Sequence, residues 1–305
     1  MAKKARRKIA TNREQKVPLY GGQAVLEGVM MRGRRYMAIA MRAPNGKIVL
    51  HSEKLSPIYQ SQAARIPFLR GLVLLWDALA LGARALTISA NTQAGEDEKL
   101  EGAPLAITMV ISLSFAIGLF FLAPAGLSHL IEVWLGLPPI WGSILEGVIR
   151  LSVLIAYLAI IGRVGEIRRV YGYHGAEHKT INAFEAAAKL TPTEVAKLPR
   201  EHPRCGTAFL LTVVVFSILL FALIGPMPLL PRLALRLLLI PVLASVAYEY
   251  LRWSAAHFNN PIVRVLVAPN LALQRLTTKP PDKKMLAVGI AAFKEMKRLE
   301  DKSGA

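Results

Sequence analysis

The sequence contains one cysteine, Cys205, in 305 residues. A disulfide within the chain is therefore excluded, and the count fits a reducing compartment. Acidic residues are also scarce: 20 Asp and Glu stand against 38 Lys and Arg, giving a net charge of +18. Charge of either sign is missing altogether from Gly102 to Ile131 and from Cys205 to Pro231. Each gap exceeds the roughly 20 residues that cross a hydrocarbon core of about 30 Å as a helix. Length alone suggests one large or two small soluble domains. With 53% hydrophobic residues and a mean hydropathy of +0.40, the composition points instead to an integral membrane protein.

The fold class that follows is a mainly α membrane protein with four transmembrane helices arranged as two hairpins. The spans are expected at 105–131, 141–162, 205–225 and 229–251. The second carries Glu146 and Arg150, and the fourth carries Arg232, Arg236 and Glu249. Short proline-containing turns, Gly136-Leu-Pro-Pro139 and Gly225-Pro-Met-Pro228, join the members of each pair. Charges inside hydrocarbon face one another or a water-filled cavity. Pairing of Glu146 with Arg236 or Arg150 explains part of this set as helix packing. The excess positive charge leaves open a groove for lipid headgroups or for polar parts of a client membrane protein.

Basic residues set the orientation. The 163–204 connection holds eight Lys and Arg, whereas the two turns hold none. By the positive-inside rule this loop and both termini are cytoplasmic. The first 16 residues hold seven basic side chains and one acidic one, with no apolar stretch following. That pattern reads as a basic cytoplasmic arm and not as a cleavable signal peptide. Anionic membrane lipid is its expected partner. Nucleic acid is the weaker reading, because no aromatic-rich recognition module accompanies the charge.

Between the arm and the first span, residues 17–62 read as a small β-containing cytoplasmic region, so that the N-terminal part is α+β. Met37 to Arg42 and Lys47 to Leu55 form strands about a turn at Pro44-Asn-Gly46, where Asn-Gly supplies positive φ angles. The glycine-punctuated run Gly21 to Gly33 packs with that hairpin. Its Glu27 either completes a metal site, orients a ligand histidine, or sits in a tight strand turn. At 63–95 the pattern is helical, with Arg70, Asp77, Arg84 and Asn91 every seven positions. This segment reads as an amphipathic interfacial helix, with packing on the bundle as the alternative. An acidic linker, Glu96 to Glu101, follows. Residues 260–305 read as cytoplasmic C-terminal helices, with Pro269-Asn270 marking a turn and Met285 to Leu299 an amphipathic helix.

The chemistry concentrates in the 163–204 loop. His174-Gly-Ala-Glu-His178 places two imidazoles one turn apart on a helix, where both reach one ion while Glu177 serves as general base. His202-Pro-Arg-Cys205 lies at the far end of the loop. Thr191-Pro-Thr-Glu194 has the form of a capped helix start, so the chain can run out on one helix and return. The candidate metal ligands are His174, His178, His202 and Cys205, the catalytic candidate is Glu177, and zinc is the leading divalent ion. The competing reading has histidines bonded to backbone or headgroups and Cys205 simply opening the third span.

Four separated runs resemble the YqhQ-like bacterial membrane proteins. They are GGQAVLEGVMMRG at 21–33, YHGAEHK at 173–179, HPRCGT at 202–207 and PNLALQRLTT at 269–278. The resemblance implies a bacterial cytoplasmic (inner) membrane location. It also carries the label of a metal-dependent enzyme of unknown function, which maps onto His174, Glu177, His178, His202 and Cys205. Two readings stand: a metal-dependent hydrolase acting on a lipid-linked or membrane-protein substrate, and a non-catalytic scaffold or membrane-protein biogenesis factor that binds membrane-protein partners and anionic lipid.

Overall fold

The computed structural model describes residues 20–56, 62, 66–94, 102–224 and 227–304. The basic arm, the acidic linker and the Gly225-Pro226 half of the second turn lie outside the described residues. The N-terminal part is a four-stranded antiparallel sheet in chain order: β1 (Gly21–Val25), β2 (Gly28–Arg32), β3 (Tyr36–Arg42) and β4 (Ile48–Lys54). The Asn-Gly turn joins β3 to β4, with Gly46 at φ 81°. The 21–33 run supplies the other two strands.

Alternation along β2 and β3 makes the sheet apolar on both faces. Val29, Met31, Ala38 and Ala40 point one way, and Met30, Met37, Ile39 and Met41 the other, as a period of two requires. The first face is covered by α5 (Gly165–Glu185) and α11 (Lys283–Lys302), through Tyr173, Ala176, Leu286, Ile290 and Phe293. The second face is covered by the C-terminal half of α1 (Leu69–Gln93), through Ala85, Leu81 and Ile88. Glu300 of α11 fastens the β2–β3 turn, accepting from the N–H groups of Arg35 (2.7 Å) and Tyr36 (2.8 Å).

The apolar part comprises α2 (Gly102–Ile117), a π-helical turn (Gly118–Leu122), α3 (Ala123–Leu135), α4 (Pro139–Ile161), α7 (Gly206–Ile224), α8 (Leu229–Leu238), α9 (Ile240–Ala256) and α10 (Pro261–Thr277). Four helices of the described residues are long and apolar enough to cross a membrane. They are Leu69–Gln93, the continuous Gly102–Leu135, Trp141–Ile161 and Gly206–Ile224. The set differs from the expected one at both ends. The segment expected to be interfacial qualifies by length and composition. The expected fourth span is instead α8 and α9, bent by 44°. Pro241, in the first turn of α9, has no N–H to carry the ladder across the break.

Helix α1 is also more firmly held than a helix resting on lipid. Arg70 pairs with Glu249 of α9, Ser245 donates to the Phe68 carbonyl at 2.7 Å, and Arg84 reaches Glu53 of β4 at 2.9 Å. Two members of the seven-residue stripe thus face protein, while Trp76 and Leu79 point outward. The expected turn at Pro269-Asn270 is overturned, since α10 runs through it. One missing N–H is outweighed by the Asn260 cap, the buried Val263, Val267 and Leu273, and a bond from Asn270 to Thr212.

Glu146 pairs with both Arg150 (2.6 Å) and Arg236 (2.9 Å), and Arg232 reaches Glu132 at 3.0 Å. The first pairing was foreseeable, but the Glu132 partner was not.

Replacing Glu300 by Ala leaves two backbone donors without their acceptor. At roughly 1–3 kcal/mol for each orphaned donor, the sheet and α11 should lose about 3 kcal/mol. Thermal unfolding in detergent should show a clearly lowered midpoint; an unchanged midpoint would refute this account of the turn.

Candidate metal centre

The whole YGYHGAEHK motif lies on α5, which begins at Gly165, so the expected loop is mostly helix. His174 and His178 occupy successive turns, with ring centroids 4.4 Å apart. The chain then returns as expected. After Ala187, at φ 50°, it enters α6 (Pro192–Val195), whose Thr191 cap accepts from the Glu194 N–H. Residues 196–205 run back along α5 and are stapled to it by side chains. Lys179 donates to the carbonyls of Ala196 and Leu198, and Asn182 to those of Pro199 and Glu201. His178 Nδ1 donates to the Arg200 carbonyl at 2.5 Å.

This return brings Cys205 to the histidines. His174 Nε2 lies 3.3 Å from Cys205 Sγ, and ligand atoms of His174, His178 and Cys205 all fall within 4.8 Å of one another. His174 Nδ1 donates to the Thr277 carbonyl at 2.9 Å. Both imidazoles therefore spend their Nδ1 proton on a carbonyl and present Nε2 to the thiol. Outer-shell bonds of this kind orient metal-ligating histidines. His178 Nε2 is buried and has no hydrogen-bond partner among the described residues. An orphaned nitrogen beside a thiol fits zinc, whose bonds of about 2.0–2.3 Å draw three such ligands only slightly closer.

His202 is placed beside the cluster and turned from it. Its ring centroid is 5.8 Å from that of His178, but its Nε2 points to Glu185 at 3.4 Å. Gln274 of α10 clasps its backbone, accepting from His202 N–H (2.8 Å) and donating to its carbonyl (2.9 Å). Glu27 sits in the tight β1–β2 turn at φ 50°, with its carboxylate on Arg169 (2.5 Å) and Tyr173 (3.2 Å). It serves as a strut for α5, not as a partner of a histidine.

Without an ion, electrostatics favour a thiolate on Cys205 and a proton on His174, and a bound metal would have to displace that proton. Burial pushes the Cys205 thiol up, but His178 and His174 pull it well below its ordinary range. Burial disfavours charge on His174, yet Cys205 and Glu177 beside it raise it to about 9. Glu177, 5% exposed, is raised by burial, against the pull of His178 and His174. The shift is in the direction that general acid–base catalysis by a carboxyl uses.

Two glycines admit close approaches, of which the sequence anticipates only that at Gly22, without its partner. A Cβ on Gly22 of β1 would lie 2.6 Å from the Met30 carbonyl and 2.8 Å from Glu177 Cγ. A Cβ on Gly175 would collide with the Lys279 carbonyl, in the α10–α11 connection. Their signal was present as GG in the first run and as the HG within the motif, but neither showed what approaches.

The sequence from 66 to 299 matches the family described as a protein of unknown function, DUF1385. A relative from Bacillus subtilis (strain 168), the uncharacterized protein YqhQ, is 34% identical over 303 residues, covering 93% of each chain. The chain belongs to the DUF1385 family. No solved structure matches. The match begins just before α1 and ends within the last turn of α11, so the DUF1385 region contains every residue of the His-His-Cys cluster. The β-sheet that supplies Gly22 lies ahead of it.

Replacing Gly22 by Ala should displace Glu177 and β1 together, costing roughly 1–3 kcal/mol as overpacking does. Gly21→Ala, with its nearest neighbour 3.9 Å away, is the control and should be close to neutral. Equal unfolding midpoints for the two variants would refute the packing of β1 on the glutamate.

Proposed function

We propose that this protein is a multi-pass membrane enzyme in which His174, His178 and Cys205 hold a zinc ion and Glu177 carries protons in a hydrolytic reaction. The carrying observation is His178: its Nδ1 is fixed on the Arg200 carbonyl, while the buried Nε2 faces the thiol without a partner. Three protein ligands are the number that catalytic zinc sites use, leaving a position for water or substrate. When bound, the ion supplies Lewis acidity. Glu177, raised by burial and adjacent to both histidines on α5, takes a proton and returns it to a leaving group.

The substrate class follows from position. Cys205 immediately precedes α7, and His174 bonds to the Thr277 carbonyl at the end of α10, so the cluster lies at the ends of two helices of the apolar part. A lipid-linked or membrane-protein substrate reaches such a place by lateral diffusion. The basic 163–204 segment supports a cytoplasmic face in a bacterial inner membrane.

A second reading rests on a different observation. The two Nδ1 bonds tie α5 to the end of α10 and to the 199–205 segment. A metal there would lock three segments of a non-catalytic scaffold that binds membrane-protein partners and anionic lipid.

Elemental mass spectrometry on detergent-purified protein should find about one zinc per chain, lost in His178→Ala and Cys205→Ala. His202→Ala and Glu177→Gln should retain it. Absence of metal from the wild type, after purification without chelators, would sink both readings. To separate them, cells carrying only the Glu177→Gln protein should accumulate an uncleaved lipid or membrane protein, as cells lacking the protein do. If the Glu177→Gln cells match wild type while the deletion does not, the scaffold reading replaces the enzyme.

A further inference from the structure

A second polar centre lies inside the apolar helices, remote in sequence from the metal ligands. Arg150 of α4 is fully buried and spends its guanidinium on three partners. Nε donates to the Phe120 carbonyl at 3.0 Å, Nη1 to Ser217 at 2.8 Å and Nη2 to Glu146 at 2.6 Å. Phe120 lies in the π-helical turn, where the changed ladder makes a carbonyl available. Arg236 of α8 places Nε and Nη2 on Glu146, both at 2.9 Å, and its guanidinium carbon 3.7 Å from the centre of the Phe221 ring. Its Nη1 is buried and has no hydrogen-bond partner among the described residues.

The charges in this group do not cancel. Glu146 carries one negative charge against two positive ones on Arg150 and Arg236, leaving one in excess. The nearby pair of Arg232 and Glu132 is neutral and contributes nothing to the balance. In hydrocarbon both the surplus charge and the orphaned donor call for an anion with oxygen acceptors.

Helix α8 carries one side of this centre. Its buried residues are Arg232 and Arg236, one turn apart on one face, while Leu230, Leu237 and Leu238 are exposed. It is an amphipathic helix turned inside out, with arginines toward the bundle and leucines toward lipid. The 44° bend before α9 makes it a separate arm. An amphiphile fits this geometry on both sides, its acyl chains along the leucines and its headgroup under the arginines.

We infer that Arg236 and Arg150 form a binding site for the phosphate of an anionic phospholipid, seated between α8 and the π-helical turn. Arg236 Nη1 donates to a phosphate oxygen, and the phosphate neutralises the surplus charge. Glu146 acts as the built-in competitor that holds the two arginines in register.

The test is native mass spectrometry of delipidated, detergent-solubilised full-length protein titrated with phosphatidylglycerol. Diacylglycerol, which lacks phosphate, and inorganic phosphate serve as separate probes. Wild type should retain one phosphatidylglycerol that Arg236→Gln loses, with diacylglycerol and inorganic phosphate not retained. Glu146→Gln raises the surplus to two charges and should bind roughly tenfold tighter, equivalent to about 1.4 kcal/mol. The basic arm is the same in all three proteins, so its own lipid contacts cancel from the comparison. Retention of inorganic phosphate to the same degree would overturn the lipid assignment. Equal phosphatidylglycerol binding by wild type and Arg236→Gln, or weaker binding by Glu146→Gln, would overturn the site. Should Arg236→Gln fail to give a monodisperse, helical protein, the direction of the Glu146→Gln change decides alone.

Discussion

Capture of backbone carbonyls by side chains of α5 is the interaction on which the rest of the arrangement depends. Lys179 and Asn182 hold the carbonyls of residues 196–201, and His174 holds that of Thr277. The returning segment has no ladder of its own, so these bonds replace the secondary structure it lacks. His178 belongs to the same series through Arg200 and simultaneously faces Cys205. One set of contacts therefore positions the chain and prepares the candidate metal ligands. The same helix presents its opposite side to the sheet, where Tyr173 and Ala176 join the first-face core. A change in α5 thus reaches the sheet, the return segment and the cluster together.

Much of this was legible in the sequence because its physics is local. The charge-free runs, the Asn-Gly turn and the Thr191 cap each depend on neighbours a few residues away. The one-turn spacing of His174 and His178 is local too, and so their shared face followed. Convergence of Cys205 with them was readable as a possibility from chain length, since a helix outward and an extended return can close the distance. The choice between His202 and Cys205 was not readable. It depends on Glu185 and Gln274, one 17 residues before His202 and the other 72 residues after it, which hold the side chain and the backbone of His202. For Glu27 the tight strand turn was among the readings open in the sequence, but its partner Arg169, 142 residues away, was not visible there.

The two membrane segments that depart from straight, free-standing helices do so for a common reason. Hydropathy measures what a helix can cross and not what it packs upon. Helix α1 passes the test of length and composition, yet one end pairs with Glu249 and the other covers the sheet. The expected fourth span fails as one straight rod because Pro241 breaks its ladder, and because its first part buries only arginines. Pro269 shows the converse. There a helix survives a proline because Asn270, Gln274 and three apolar side chains hold it in the bundle.

Cys205 links the two halves of the protein physically. It stands immediately before α7, and Thr207 sends its N–H to the sulfur at 3.4 Å and its hydroxyl to within 3.0 Å. The N-terminus of a helix carries partial positive charge, which favours a thiolate over a thiol. A histidine in the same position would gain nothing from that field when neutral and would be opposed by it when charged. The thiolate is therefore the ligand type best suited to the start of an apolar helix, and it fixes the depth of the cluster relative to α7. Further along that helix, Ser217 accepts from Arg150. Twelve residues at 1.5 Å per residue separate the two positions by about 18 Å. The same helix thus has the candidate ligand Cys205 just before its start and an acceptor for a buried cation near its middle. Its register sets the spacing between Cys205 and the Ser217 hydroxyl that accepts from Arg150.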